Sequence, residues 1–324
     1  MEQLNINDEL SQLSEKYIEI LRKINEFIVD QDELIGLALI SLLSGGHLLI
    51  EGLPGTAKTS VVKALAHISG CTFSRFQCAV DSQPADIIGV KIFDTERKEF
   101  VFKKGPVFTQ FMLIDELNRL PPRAQSAFIE VMSEQQATID GETILLEDPF
   151  LVIATQNPYE FEGTFPLIEA QKDRFMFSTI ITHLDSEGEL EIIRREQNGI
   201  LHWKNYIAQL RPVLNKELII EFQTKVRDIF IEDKLLAYIR DIIIATRNHS
   251  EIELGVSSRA SIALVRGSKA IAALEGRQFV TPDDIKWLSF HALPHRIVLK
   301  KEAEISGISI IDVIKRMINS IEVP

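Results

Sequence analysis

The stretch HLLIEGLPGTAKT (47–59) decides the fold. Leu48, Leu49 and Ile50 are three consecutive apolar residues, short enough for a strand buried on both faces. Gly52, Pro54, Gly55, Thr56 and Ala57 follow, small or turn-forming, and then Lys58 and Thr59. A loop that cradles phosphates needs small residues, so that backbone N–H groups can curl around the anion. It also needs a lysine for the β- and γ-phosphate charge and a hydroxyl for Mg²⁺. A helix must then begin, so that its positive N-terminal dipole faces the ligand. Ala57 stands where the general pattern has a third glycine, which predicts helical dihedrals there rather than a positive φ.

Outward from this stretch, the pattern alternates short apolar runs with helices. Residues 47–51, 72–77, 111–115, 150–155 and 175–181 each fit a buried strand. Helical stretches are expected near 58–69 and 121–134. The alternation predicts an α/β fold with a five-stranded, largely parallel sheet. Upstream, residues 8–43 read as helical, with Leu10, Leu13, Tyr17, Leu21, Ile24 and Ile28 at three- and four-residue steps. Downstream of Ser186 the strand signal nearly vanishes, and helical patterns cover 232–248, 258–275 and 282–290. The expected division is therefore an α/β core over 1–185 and a smaller, all-helical domain over 186–324. Two β-like inserts interrupt the core, near 85–105 and 135–150, and the second is a hairpin signalled by Asp140-Gly141.

Two more strands end in polar chemistry. FMLIDE (111–116) closes on Asp115, suited to the Mg²⁺ shell, and Glu116, suited to polarising an attacking water. FLVIATQN (150–157) closes on Asn157, which can hydrogen-bond a γ-phosphate or the water. Each motif alone is ordinary. Three strands of one doubly wound sheet ending in phosphate-loop, carboxylate and amide chemistry indicate nucleoside triphosphate binding and hydrolysis.

With these residues in view, the sequence resembles the AAA+ ATPases, and within them the MoxR family. The segments that carry the resemblance are HLLIEGLPGTAKT (47–59), IDELNRLPPRAQSAFIEVMSEQQATIDG (114–141), ATQNPYEFEGTFPLIEAQKDRF (154–175) and LGVSSRASIAL (254–264). The resemblance implies ATP and Mg²⁺ as cofactors and a helical lid after the core. It implies that Arg174, in Asp-Arg-Phe, is an arginine finger reaching the γ-phosphate of a neighbouring subunit. It implies that Arg259 is the sensor-2 arginine, contacting nucleotide from the lid. It places Arg119 and Arg123 towards a subunit interface, and Ile28, Val29 and Asp30 in the adenine-contacting stretch. The inserts correspond to a helix-2 insert and a pre-sensor-1 hairpin that face a pore or a partner. A trans-acting arginine implies a homo-oligomeric ring, taken as a hexamer. The implied activity is chaperone-like remodelling of a protein client, and the resemblance suggests a von Willebrand factor A domain protein as partner.

Composition narrows the partners. The 324 residues carry 35 Lys and Arg against 47 Asp and Glu, a formal charge of -12. A coat for nucleic acid needs a positive footprint. The alternative of a nucleic-acid motor would need Lys or Arg on the second hairpin. Residues 135–148 instead hold Asp140, Glu142, Glu147 and Asp148. The first eleven residues lack a basic, then apolar, leader. The uncharged run Leu34–Ile50 is broken by Ser41, Ser44, Gly45, Gly46 and His47, so it reads as a helix ending near Leu43, a turn and a buried strand, not a membrane span. Cys71 and Cys78 would lie over ~20 Å apart along a strand, too far for a disulfide. A reducing, cytoplasmic compartment is expected.

Overall fold

A computed structural model describes residues 2–53, 55–157 and 163–324, with residues 2–7 described as backbone. Pro54 and part of the 154–175 segment lie outside the described residues. The predicted N-terminal helix is two helices, α1 (Glu2–Asn25) and α2 (Asp32–Ser44). Between them Asp30 adopts a positive φ of 51°, which no continuous helix can hold. α2 is buried from Leu34 to Ser44, so its uncharged run is a core helix. It stops at Gly45, φ 65°, where the Gly46 N–H reaches back to the Ser41 carbonyl at 2.8 Å. Glycine is suited to that left-handed position.

The core follows as β1 (Leu48–Gly52), α3 (Lys58–Ile68), β2 (Phe73–Gln77), the short α4 (Pro84–Ile88), the hairpin β3 (Gly89–Asp94) and β4 (Glu99–Lys104), and β5 (Phe111–Asp115). Then come α5 (Pro122–Glu134), the hairpin β6 (Gln136–Ile139) and β7 (Glu142–Leu145), β8 (Leu151–Gln156), α6 (Glu169–Lys172) and β9 (Phe177–Ile181). The five predicted strands form one sheet in the order β2-β5-β8-β1-β9, all neighbours parallel. Because side chains alternate across a strand, Leu48 and Ile50 of β1 join one apolar cluster and Leu49 joins the other. The same split divides Phe111 and Leu113 from Met112 and Ile114, and Leu151 and Ile153 from Val152 and Ala154. Hence these strands read as continuous apolar runs rather than alternating ones.

The remainder is α7 (Ser186–Gln197), α8 (Trp203–Gln209), α9 (Lys216–Asp228), α10 (Asp233–Asn248), β10 (Ile252–Leu254), α11 (Ser258–Leu274), α12 (Pro282–Ala292), β11 (Val298–Leu299), α13 (Lys301–Ile305) and α14 (Ile310–Ser320). It is not all helical, because β10 and β11 pair antiparallel. Nor does it stand clear of the core. α9 and α11 pack on α2, α12 packs on β9, and the apolar cluster of the β1 face runs through all of them. Gly267 of α11 sits where a Cβ would collide with the Phe177 ring.

His47 ties the start of β1 to the neighbouring strand β8 and to α5. Its Nδ1 accepts the Val152 N–H at 3.1 Å, so Nε2 carries the proton and donates to the Met132 carbonyl at 2.8 Å. Burial pushes its pKa down to about 4, and the bond to Met132 opposes that shift. The ring is neutral in the fold, whereas an unfolded histidine titrates near 6.5. Its contribution is therefore intact above pH ~6.5 and is lost as pH falls towards 4, by roughly 3 kcal/mol. Urea denaturation at pH 7.5 and pH 4.5 is expected to give a smaller acid-induced loss of stability for His47→Gln than for the parent, with the variant less stable at pH 7.5.

Candidate functional site

The carboxyl ends of β1, β5 and β8 meet at one cavity of about 360 Å³. Its walls include Gly52, Gly55, Thr56, Ala57, Lys58 and Thr59 from the loop, Asp115 and Glu116 after β5, and Asn157 after β8. The structure brings all these predicted residues together. Gly52 is required locally, since a Cβ there would strike the Ile181 carbonyl of β9. Ala57 departs from expectation: its φ is 57°, left-handed rather than helical. The loop must reverse before α3 begins, and an alanine in that conformation costs roughly 1 kcal/mol that the surrounding fold sustains. No side chain caps α3, so its first N–H groups point into the cavity without a side-chain acceptor.

Lys58 Nζ lies along the loop, donating to the Leu53 carbonyl at 2.5 Å and to Thr56 Oγ1 at 3.1 Å. Burial lowers its pKa, and the Asp115 and Glu116 carboxylates oppose that shift. Glu116 is itself held at a positive φ of 59°. A bulky residue persists there only where its surroundings over-determine it. Its N–H donates to Thr155 Oγ1 at 3.0 Å, and that hydroxyl donates on to Asp115 Oδ1 at 3.1 Å. Thr155 therefore fixes the Asp115 carboxylate and the Glu116 backbone from the neighbouring strand. Two carboxylate-bearing residues, a threonine hydroxyl and an adjoining anion cradle suit Mg²⁺, which takes few protein ligands and completes its shell with phosphate and water.

Sequence reasoning missed several walls of this cavity. Arg75 of β2 pairs with Asp115 at 2.6 Å, and Gln77 donates to Glu116 Oε2 at 2.9 Å. Arg119 also pairs with Glu116, at 3.1 Å, so it faces the site, while Arg123 is exposed. The only hint for Arg75 was a charge inside a short strand. Which strand would neighbour β5 was not readable. A second cavity of about 240 Å³ shares Gly55, Thr56 and Ala57 and extends between Ile28, Val29 and Gln31 on one side and Thr182, His183 and Leu184 on the other. It is suited to the base of a nucleotide whose phosphates occupy the first. Ile28 and Val29 fall there as expected, but Asp30 does not line it.

Arg174 and Arg259 are not brought to either cavity. Arg174 donates to the Ala170 carbonyl at 3.0 Å, and Arg259 lies beside Asp173. That carboxylate pairs with Arg259 at 3.4 Å and with buried Arg296 at 2.9 Å, and accepts the Ser257 hydroxyl at 2.9 Å. Arg296 also donates to the Phe175 carbonyl at 2.5 Å and to those of Met176 and Ala292, so it pins the segment that carries Arg174. The resemblance implied that Arg259 contacts nucleotide from the lid; here its guanidinium pairs with Asp173, and α11 packs on α2.

Residues 47–177 match the family described as ATPase family associated with various cellular activities (AAA), and residues 244–317 match the AAA lid domain. The chain is 38% identical to the Chaperone MoxR1 of Mycobacterium tuberculosis, over 93% of this chain and 81% of that one. It belongs to the MoxR family of AAA+ ATPases. It is also 40% identical to the uncharacterized protein YeaC of Bacillus subtilis, over 93% of this chain and 92% of YeaC. A crystal structure of a putative ATPase from Cytophaga hutchinsonii superposes with a TM-score of 0.91 at 38% identity, covering 100% and 99% of the two chains. Membership in this family supports ATP hydrolysis in general terms and gives the phosphate-loop cavity its meaning.

The Thr155 relay yields a direct test. Thr155→Val removes the acceptor of the Glu116 N–H and the donor to Asp115. It is expected to lower folding stability by about 1–3 kcal/mol and to slow ATP turnover at least tenfold while ATP affinity changes less than threefold. Denaturant unfolding, steady-state turnover and equilibrium nucleotide titration check the three parts.

Proposed function

We propose that this MoxR-family protein hydrolyses ATP with Mg²⁺ in a homo-oligomeric ring, a hexamer, and uses the cycle to remodel, mature or activate a protein client. The observation that carries this reading is the separation of charge. One chain's cavity holds Lys58, Thr59, Asp115, Glu116 and Asn157, while Arg174 and Arg259 lie outside it. In the proposed roles, Lys58 and the loop bind phosphates, Thr59 and Asp115 hold the ion, Glu116 activates water and Asn157 senses the γ-phosphate. Arg174 and Arg259 then serve the nucleotide of a neighbouring subunit, each adding positive charge where negative charge develops. When bound, the metal would neutralise phosphate charge, and Asp115, which Arg75 pairs at 2.6 Å, would help hold it.

A protein client is favoured by what the two hairpins expose. Phe93 and Phe100 stack edge to face on the first, with Phe100 70% exposed, and Leu145 is 72% exposed on the second. Lys91 ties the two hairpins together by an ion pair to Glu142 at 2.8 Å. Exposed apolar side chains of this kind suit a polypeptide, with a von Willebrand factor A domain protein as the proposed client, and the acidic second hairpin disfavours a nucleic-acid track. We propose a core over 1–185 and a helical unit over 186–324, which is where the two family matches fall. The proposed compartment is the cytoplasm, in keeping with two unpaired thiols. Among the described residues no helix is long and apolar enough to cross a membrane.

Glu116→Gln is expected to bind ATP normally and hydrolyse it at least 100-fold more slowly; turnover near the parent rate removes Glu116 from its role. Arg174→Ala is expected to bind ATP but lose turnover. Mixing Arg174→Ala with Glu116→Gln subunits should restore part of the activity, since a Glu116-bearing cavity then meets an intact Arg174. No recovery in mixed oligomers of verified composition counts against action between subunits.

A further inference from the structure

A third cleft, of about 660 Å³, opens at the opposite edge of the sheet. Ser44 and Phe150 line it, and these precede β1 and β8, whereas the phosphate loop and Asn157 follow those strands. β8 runs Leu151–Gln156, so the cleft and the phosphate cavity are separated by roughly 20 Å of strand. The opposite wall is helical: Arg227 at the end of α9, with Arg266 and Lys269 one turn apart on α11.

The charge here runs against that of the protein. The chain has 47 carboxylates for 35 basic residues, so most cations on such a surface can find a partner. Arg227 and Arg266 have no ion pair among the described residues, and Lys269 donates only to the Arg227 carbonyl, at 2.7 Å. Three positive groups thus face a cavity to which Asp148 contributes the sole carboxylate. The floor is apolar and firm, since Leu43 and Phe150 are 5% and 4% exposed. Ser44 lines the cleft, is 8% exposed, and its hydroxyl has no hydrogen-bond partner. A buried polar group left so is costly and is relieved by an acceptor brought into the cleft.

We propose that this cleft binds a small phosphate-bearing anion, separately from the nucleotide cavity. Guanidinium forks match phosphate oxygens in pairs, and three cations match the charge of a diphosphate group. The volume falls within the range of small-molecule sites and is bounded by α2, α9, α11 and the start of β8, unlike an extended peptide groove. A ligand here would bridge the sheet to α9 and α11, tightening the contact between the core and the helical unit.

Inorganic pyrophosphate is the probe, because it carries no base to favour the other site. Hydrogen exchange of the full chain with pyrophosphate is expected to show protection at 43–46, 223–227 and 266–269 in addition to any at 52–59. Calorimetric titration of Arg227→Glu/Arg266→Glu is expected to lose that component at least tenfold while the thermal midpoint stays close to the parent's. Arg266→Gln, a milder change at an exposed position, should weaken it severalfold and covers the case in which the double variant misfolds. Protection confined to 52–59, or undiminished binding in both variants, overturns the proposal. Protection of the cleft by hexaglutamate and not by pyrophosphate overturns the ligand class and assigns the cleft to an acidic peptide.

Discussion

The placement of β1 between β8 and β9, in parallel register, is the constraint on which the rest depends. Leu49 lies opposite Ala154 and Ser178, and Glu51 opposite Gln156 and Ile180. That register sets the end of β1, where the phosphate loop starts, level with the end of β8, where Asn157 emerges. β5 pairs on the other side of β8, with Ile114 opposite Ala154, so Asp115 and Glu116 arrive at the same edge. A slip of one residue would move each side chain to the opposite face, exchanging the residues packed in the two apolar clusters. The burial that fixes the register therefore also fixes the chemistry.

Within that frame, the carboxylates are held by short-range devices. Thr155 bonds one residue's N–H and the other's carboxylate, and Arg75, Gln77 and Arg119 surround the same pair. The left-handed backbone of Ala57 and Glu116 stores strain at the two places where the loop and the β5 end must turn sharply. The second polar centre, at Asp173, is built differently. Arg296 is 4% exposed and reaches several carbonyls as well as the Asp173 carboxylate, so it is a packed hub rather than a surface ion pair. It orders the segment bearing Arg174 and anchors the start of α11 through Arg259.

Charge is distributed along these same lines. An overall balance of -12 coexists with local positive groups wherever an anion would sit. Lys58 and the open start of α3 serve one cavity, and Arg259 lies beside Asp173. The cleft beside α9 and α11 concentrates positive charge at the far edge of the sheet. Net charge speaks to bulk association, while sites are governed by what lies within a Debye length.

The sequence by itself determined the five strands, the phosphate loop and its carboxylate and amide partners, because those features are local. Apolar runs of strand length, glycines where the backbone must turn, and polar residues at strand ends are legible without knowing which segments meet. The Asp140-Gly141 turn was readable for the same reason: both residues take positive φ, 49° and 82°. What only the tertiary structure decided are the relations between distant segments. The break at Asp30, the β10–β11 ladder, the pairing of Arg75 with Asp115 and the Thr155 relay all depend on which elements become neighbours. The pairing of Arg259 is the clearest case. Its motif gives no sign of the Asp173 carboxylate 86 residues earlier, and only the tertiary structure brings the two together.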